Sequence, residues 1–456
     1  MIAEERIHHL KTARLKPGKY VLYWMQQARR THYNHALEYA IAKANELQLP
    51  LVTGVVLDET APDANLRHYT FMLEGLRDLI PELQRRNIQF VLRIGGMPRE
   101  VAELAQGAAM LVGDWGYLRF QRAWRQQIAE ELDCPVVFVE TDVVVPVETA
   151  SSKEEIAART LRPKLHKCSE RFLLAPFGEA DCRYGELLLA MRSVDITQPE
   201  AVLQELTLNR SIVPAHGFKG GWGEAKRRLE EFINEKLDEY HNCSNDPARD
   251  ILSRLSPYLR FGQISPIEVI LRIEEAAGNR KAKEAFLEQL IVRRELSRNF
   301  VYYTPGYDHY EDAVPEWARR TLAEHQQDER PYLYSFSQLE NADTHDVYWN
   351  AAQQEMLITG HMHKYMRMYW GKKIIEWSKT PEEAFYTMLS LNNSYELDGH
   401  DPNAFTGTAW CFGRHDHPWK EREVFGKVRY MNAKGLTRKF QISRYVARIN
   451  TLVRAG

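Results

Sequence analysis

A change of hydrophobic period near residue 223 constrains this chain more than any other feature. Upstream, apolar runs at 20–24, 51–57, 90–94, 110–113 and 136–139 read as buried strands, with helical patterns such as 34–47 and 66–86 between them. Strands that are apolar on both faces need cover on both, and a strand–helix–strand order supplies it through right-handed crossovers. Residues 1–150 are therefore expected to form an α/β domain with a doubly wound parallel sheet, which binds ligands beyond the carboxyl ends of its strands. Neither GxGxxG nor GxxxxGK[ST] occurs, so a dinucleotide fingerprint or a P-loop has no support.

Residues 151–223 lose periodicity and carry prolines and Gly217 through Gly223, yet retain apolar residues such as Phe172 and Leu173. They read as a long connection with short helices between two domains. From 224 to 456 apolar residues recur at three- and four-residue steps. Helices are expected over 224–240, 266–277, 281–303, 346–378 with a break near Gly360, and 381–391. Ser265-Pro266 and Thr380-Pro381-Glu382-Glu383 supply start signals. The second half is thus an all-α domain.

The 456 residues carry a formal net charge of only −2, which does not announce a polyanion as partner. The distribution does more. From Lys420 onward there are ten Lys/Arg against Glu421 and Glu423, either a solvated basic face or a phosphate contact. Five scattered cysteines form no CxxC and read as reduced, packed thiols. The N-terminus has no apolar signal core and no run reaches membrane-span length. These features favour the cytoplasm, with the nucleus as the eukaryotic counterpart. His361, His363, His415 and His417 fit no Cys/His metal spacing and no HExxH occurs, so no metal is expected.

Five of the ten tryptophans, Trp349, Trp370, Trp377, Trp410 and Trp419, crowd the segment from His345 to Trp419. Trp370 and Trp377 are seven apart, two helical turns or roughly 10 Å along one face. Arg367, Asn392, Asn393, Asp398 and Asp401 lie among them and are costly to bury unpartnered. Indoles beside such groups suit either a packed core with a salt bridge or a pocket for a large aromatic cofactor.

The run M-R-M-Y-W at 366–370, N-N at 392–393 and D-G-x-D-P-N at 398–403 resembles the class II cyclobutane-pyrimidine-dimer photolyases, within the photolyase/cryptochrome family. SRLSPYLRFGQIS at 253–265, LEQLIVRRE at 287–295, NFVYY at 299–303, WKER at 419–422 and KVRYM at 427–431 extend the resemblance in order. It implies an FAD-binding helical domain and repair of dimers in DNA by electron transfer from photoexcited, reduced FAD. It implies that Tyr240, Leu252, Ser253, Arg254, Leu255 and Ser256 hold the phosphates and ribitol. Arg367 and Asp398 would pair beside the ring, and Asn392 would reach flavin N5, its alternative role being a helix C-cap. Asp401 is either a flavin contact or the cap before Pro402. Trp370 and Trp349 correspond to the electron-transfer pair, with Trp377 as an extension. Trp410 and Trp419 would flank a flipped-out dimer in double-stranded DNA, Met368 would pack beneath it, and Arg429 would meet phosphate. The protein would act as a monomer, and the α/β domain would have room for an antenna chromophore that nothing in the sequence names.

Arg293, Arg294 and Arg298 repeat at helical steps and suit either a DNA phosphate track or ion pairs with Glu288 and Glu295. Three departures stand out. Gln289 occupies the position of the family's dimer-binding acid, with Glu288 next to it; Ser244 stands where the family has a lesion-facing Arg; and the loop 413–418 is one residue short. The first two keep a second reading open, a cryptochrome-like photoreceptor without repair.

Overall fold

In the computed structural model residues 2–13, 17–62, 64–174, 180–185 and 189–455 are described; residues 175–179 and 186–188 of the expected connection lie outside them. Strands β1 (Ile7–Lys11), β2 (Tyr20–Trp24), β3 (Leu51–Leu57), β4 (Gln89–Ile94), β5 (Ala108–Asp114) and β6 (Val136–Val139) form one sheet in the order β1-β6-β5-β2-β3-β4. The five expected strands all form, and neighbours among them pair in parallel. The sheet is not purely parallel, however, because β1 runs antiparallel to β6 at the edge. Its sequence, Ile-His-His-Leu-Lys, is only partly buried, and so lacks the apolar run that marks the interior strands. Arg6, just before it, is buried and donates to the carbonyls of Glu140 (2.9 Å) and Val143 (3.1 Å).

The chain order reverses between β2 and β5, the place where such sheets open a crevice. Here Asp114 fills it. Its carboxylate, at the end of β5, accepts the backbone N–H groups of Gln26 (3.1 Å), Gln27 (2.6 Å) and Ala28 (3.1 Å) and the Tyr23 hydroxyl (2.9 Å).

The second half is helical throughout its described elements. Ser265 and Thr380 cap Pro266–Glu275 and Pro381–Tyr395 with their side chains. The expected break at Gly360 is real: Val347–Thr359 ends there with φ +64, a left-handed cap that favours glycine, and Lys364–Trp377 follows. Two expected helices are not uniform: residues 224–240 become Trp222–Glu235 and a 3-10 turn Leu237–Glu239. Residues 281–303 become Arg280–Leu287, a π-helical turn Glu288–Arg293, and Arg294–Tyr303. A π turn shifts the phase of the side chains by an extra residue, which hydrophobic periodicity alone does not reveal.

The two halves share their apolar packing: one cluster joins Leu22, Trp24 and Val52 to Phe300, Trp349 and Trp370, and another joins Val21, Tyr23 and Val55 to Tyr258, Phe261 and Leu397. Buried arginines fasten them further. Arg67 donates to the carbonyls of Met356 (3.0 Å) and Leu357 (2.5 Å) in the last turn of Val347–Thr359. Arg30 reaches the carbonyls of Thr141 and Gly262, both at 2.9 Å.

Candidate functional site

A cavity of about 360 Å³ opens within the helical half, inside the range of about 300–1,000 Å³ that cofactor sites occupy. Every residue expected to touch a flavin lines it: Tyr240, Leu252, Ser253, Arg254, Leu255, Ser256, Arg367, Asn392, Asp398 and Asp401. Gln289, Arg293, Met368, Trp370 and Trp410 line it too.

The loop before the short helix Ser256–Arg260 supplies one wall. Arg254 holds a left-handed backbone (φ +54) and pairs with Asp250 at 3.0 Å, a conformation that non-glycine residues seldom adopt. Lys364, at the first position of Lys364–Trp377, also lines the cavity. Its ammonium donates to Ser244 Oγ at 3.0 Å and lies 4.9 Å from the Tyr240 ring centre. Burial pulls its pKa down to about 8. A cation that burial makes costly, in a cavity also lined by Ser253, Ser256 and Arg254, is stabilised by an anionic group.

Deeper in, Arg367 Nη2 lies 3.1 Å from Asp398 Oδ1, as expected, and 2.9 Å from Glu396 Oε2. Burial would lower the guanidinium's pKa, yet the two acids hold it above its ordinary value. One cation cannot neutralise both acids. Burial therefore pushes the Glu396 carboxyl well above the usual range, Arg367 opposing and Asp398 adding to the rise. Asn392 is buried in the interior of Pro381–Tyr395, so its side chain is no helix cap; its amide nitrogen donates to Asn393 Oδ1 at 3.4 Å. His361 lines the cavity as a neutral imidazole, its pKa pushed well down by burial.

Three indoles lead away from this cavity. Trp370 lines it; Trp349, from the neighbouring helix, stacks on Trp370 with ring centres 6.4 Å apart and planes at 9°. Trp377 meets Trp349 edge-on at 5.6 Å. Trp349 Nε1 donates to the Trp370 carbonyl (3.0 Å) and Trp370 Nε1 to Gln353 Oε1 (2.8 Å). The seven-residue spacing thus leaves a gap that Trp349 fills.

Of the two roles left open for Arg294 and Arg298, the structure shows ion pairs. Both are buried: Arg294 donates to the Asp142 carbonyl (2.6 Å) and carboxylate (2.7 Å), and Arg298 grips Asp401. Arg293, 3.4 Å from Glu288, and Arg294 both border the cavity, whereas Arg298 does not. Trp419 does not line the cavity either. It is 43% exposed, stacks on His417 at 5.1 Å, and carries the Arg429 guanidinium 4.9 Å above its ring.

The neighbours Glu288 and Gln289 are now distinguished. Gln289 faces the cavity, whereas Glu288 accepts two hydrogen bonds from Arg162 (2.7 and 2.9 Å). Lys364, His361 and Glu396 escaped the sequence reading. Glu396 had a signal in the spacing Glu-x-Asp around 396–398, one step from the recognised pair; Lys364 had none.

A second cavity, beyond the carboxyl ends of the strands, holds about 50 Å³ among Gln27, Val56, Met97, Phe120, Trp124 and others. As the side chains stand, that volume takes a few water molecules and no aromatic chromophore. Among the described residues no three His, Cys, Asp or Glu side chains gather to hold a metal, and no helix is long and apolar enough to cross a membrane.

Residues 21–181 match the family model described as DNA photolyase. The chain is 48% identical to a deoxyribodipyrimidine photo-lyase of Methanothermobacter thermautotrophicus, over 99% of this chain and 100% of that one. The chain belongs to the DNA photolyase family. It is also 38% identical to the deoxyribodipyrimidine photo-lyase of Potorous tridactylus, over 94% of this chain and 81% of the relative. Photolyase architecture is equally plain in three dimensions. A bacterial class III photolyase from Agrobacterium tumefaciens superposes with a TM-score of 0.72 at 17% identity, covering 96% of this chain and 87% of that one. An archaeal photolyase from Sulfolobus tokodaii, solved with two FAD molecules, does so at 0.71 and 16%, covering 94% and 89%.

Proposed function

We propose that this chain is a class II photolyase that uses FAD to split cyclobutane pyrimidine dimers in DNA under light. One observation carries the reading: a single cavity touches an anion-suited wall, a buried arginine with two acids, an amide, and the first of three stacked indoles. FAD, when bound and reduced, supplies the light-absorbing electron donor; the chain supplies binding, orientation and charge.

In this reading Ser253, Arg254, Ser256 and Lys364 hold the phosphates, with Tyr240, Leu252 and Leu255 closing around the ribitol. Arg367, anchored by Asp398 and Glu396, presents a fixed positive charge to the ring. Asn392 offers a neutral amide able to donate or accept. Trp370, Trp349 and Trp377 carry an electron inward to keep the ring reduced. Met368, Trp410 and Gln289 form the wall that receives a flipped-out dimer, and Gln289 donates an amide N–H in place of an acid's proton. Arg429, braced on Trp419, contacts backbone phosphate, and Arg293 stands at the cavity wall on the same side of the reaction.

The division of labour follows the chain: 1–150 as the α/β domain, 151–223 as connection, 224–456 as the FAD- and DNA-binding domain. The protein works as a monomer on DNA in the cytoplasm, or in a nucleus where the cell has one. The test is illumination of the flavin-loaded, reduced protein with a dimer-containing oligonucleotide. Recovery of pyrimidine absorbance supports the reading; a bound, reduced flavin with no recovery overturns it.

A further inference from the structure

The three indoles stop short of solvent. Trp370, Trp349 and Trp377 are all 2% exposed or less, so an electron entering from outside needs another carrier. Beyond Trp377 stands Tyr334, edge-on with ring centres 5.3 Å apart, its backbone N–H donating to the Trp377 carbonyl at 3.3 Å. Tyr334 Oη lies 2.6 Å from His345 Nδ1 and accepts the His345 backbone N–H at 3.0 Å. In the tautomer that leaves Nδ1 unprotonated, the phenol donates its proton to it. The His345 ring then stacks on Tyr332 at 3.7 Å, and Tyr332 is 48% exposed.

We infer that Tyr334 and His345 form a proton-coupled exit that carries the indole chain to the surface. An oxidised phenol is a strong acid and survives only by losing its proton. His345 is exposed, and its imidazole nitrogen can take up the proton. When Trp377 is short of one electron, Tyr334 supplies it. The Tyr334 O–H bond breaks as an N–H bond forms on His345 Nδ1, leaving a neutral phenoxyl radical and an imidazolium. A small thiol or enediol reductant in solvent then returns one electron to the phenoxyl oxygen, and His345 returns the proton. Separating charge in this way keeps the electron from flowing back out, because the hole has become a neutral radical near the surface. Tyr332 extends the stacked surface on which such a reductant meets the relay.

The inference rests on the flavin reading above for the direction of electron flow. The test illuminates flavin-loaded protein with the flavin oxidised and reads radicals by electron paramagnetic resonance. The wild type is expected to yield a tyrosyl signal whose formation slows in deuterated buffer. Tyr334→Phe keeps the ring and is expected to lose both signal and isotope effect. His345→Gln, which keeps polarity but no basic nitrogen, is expected to lower the tyrosyl yield. An equal yield in Tyr334→Phe overturns the relay. If Trp370→Phe leaves the wild-type signal intact, the flavin reading itself has failed, since the electron then does not pass through the indoles.

Discussion

Arg298 and Asp401 meet in two parallel hydrogen bonds, Nη1 to Oδ1 at 3.2 Å and Nη2 to Oδ2 at 3.0 Å, with both side chains buried. The same carboxylate caps Pro402–Cys411 by accepting the Asn403 N–H at 2.8 Å, and it reaches the cavity. Arg298 lies 3.7 Å from Asp142, below the sheet. One acid thus ties cavity, helix start and α/β half together. Removing it as Asp401→Ala leaves a buried guanidinium short of its partner and should cost about 3–5 kcal/mol. Urea unfolding of the variant checks this; a loss below about 1 kcal/mol would mean that Asp142 alone neutralises Arg298.

Trp370 is the indole at the cavity, so Trp370→Phe should break the path at its first step. Photoreduction of loaded protein is expected to slow sharply, while repair by protein reduced chemically beforehand falls far less. Flash absorption of the flavin and dimer turnover are the two readings. Photoreduction at the wild-type rate would reject the assigned path.

Gln289 faces the cavity and Glu288 does not. If its amide bonds the dimer, Gln289→Ala should weaken dimer binding by about 0.5–1.5 kcal/mol, up to roughly tenfold in affinity, with flavin content unaltered. Gln289→Glu tests the family's acid at the same point and should strengthen repair at low pH relative to the parent. Titration against a dimer-containing duplex decides; equal affinities for parent and Ala variant would remove Gln289 from the site.

Arg429 is exposed beside Trp419, in the basic C-terminal stretch. Arg429→Ala should weaken damaged and undamaged DNA alike and reduce the salt slope of binding by about one. A variant that loses affinity only for damaged DNA would place Arg429 at the lesion instead.

Acid should loosen the fold through its neutral histidines. Burial holds His415 at about 4, against an opposing hydrogen bond to the Ile156 carbonyl, and holds His363 at about 3; both are 6.5 ordinarily. Between those values the unfolded chain binds protons that the folded protein does not. Stability is therefore highest above pH 6.5 and declines as pH falls through the window. His415→Asn, which tolerates the residue's left-handed backbone (φ +61), should flatten the decline by about one proton, near 1.4 kcal/mol per pH unit. Unfolding midpoints from pH 7 to 4.5 test it, and identical slopes would refute it.

Period and punctuation carried most of the architecture. The five expected strands, the helix starts at Ser265 and Thr380, and the break at Gly360 follow from local rules, because apolar runs and cap chemistry leave marks within a few residues. That the residues of these ordered motifs gather around one cavity was also legible, since the motifs resemble a known family. What the chain order could not express was decided in three dimensions. β1 joins the sheet through its edge, where burial is too slight to pattern a sequence. The π turn at 288–293 sends Gln289 to the cavity and Arg294 and Arg298 into ion pairs with acids 103 to 152 positions distant. Trp349 comes to lie between two tryptophans of another helix, and His345 beside Tyr334, because packing brings together surfaces that sequence separation keeps apart. Local propensities specify elements; only their mutual burial selects which charges and rings end up touching.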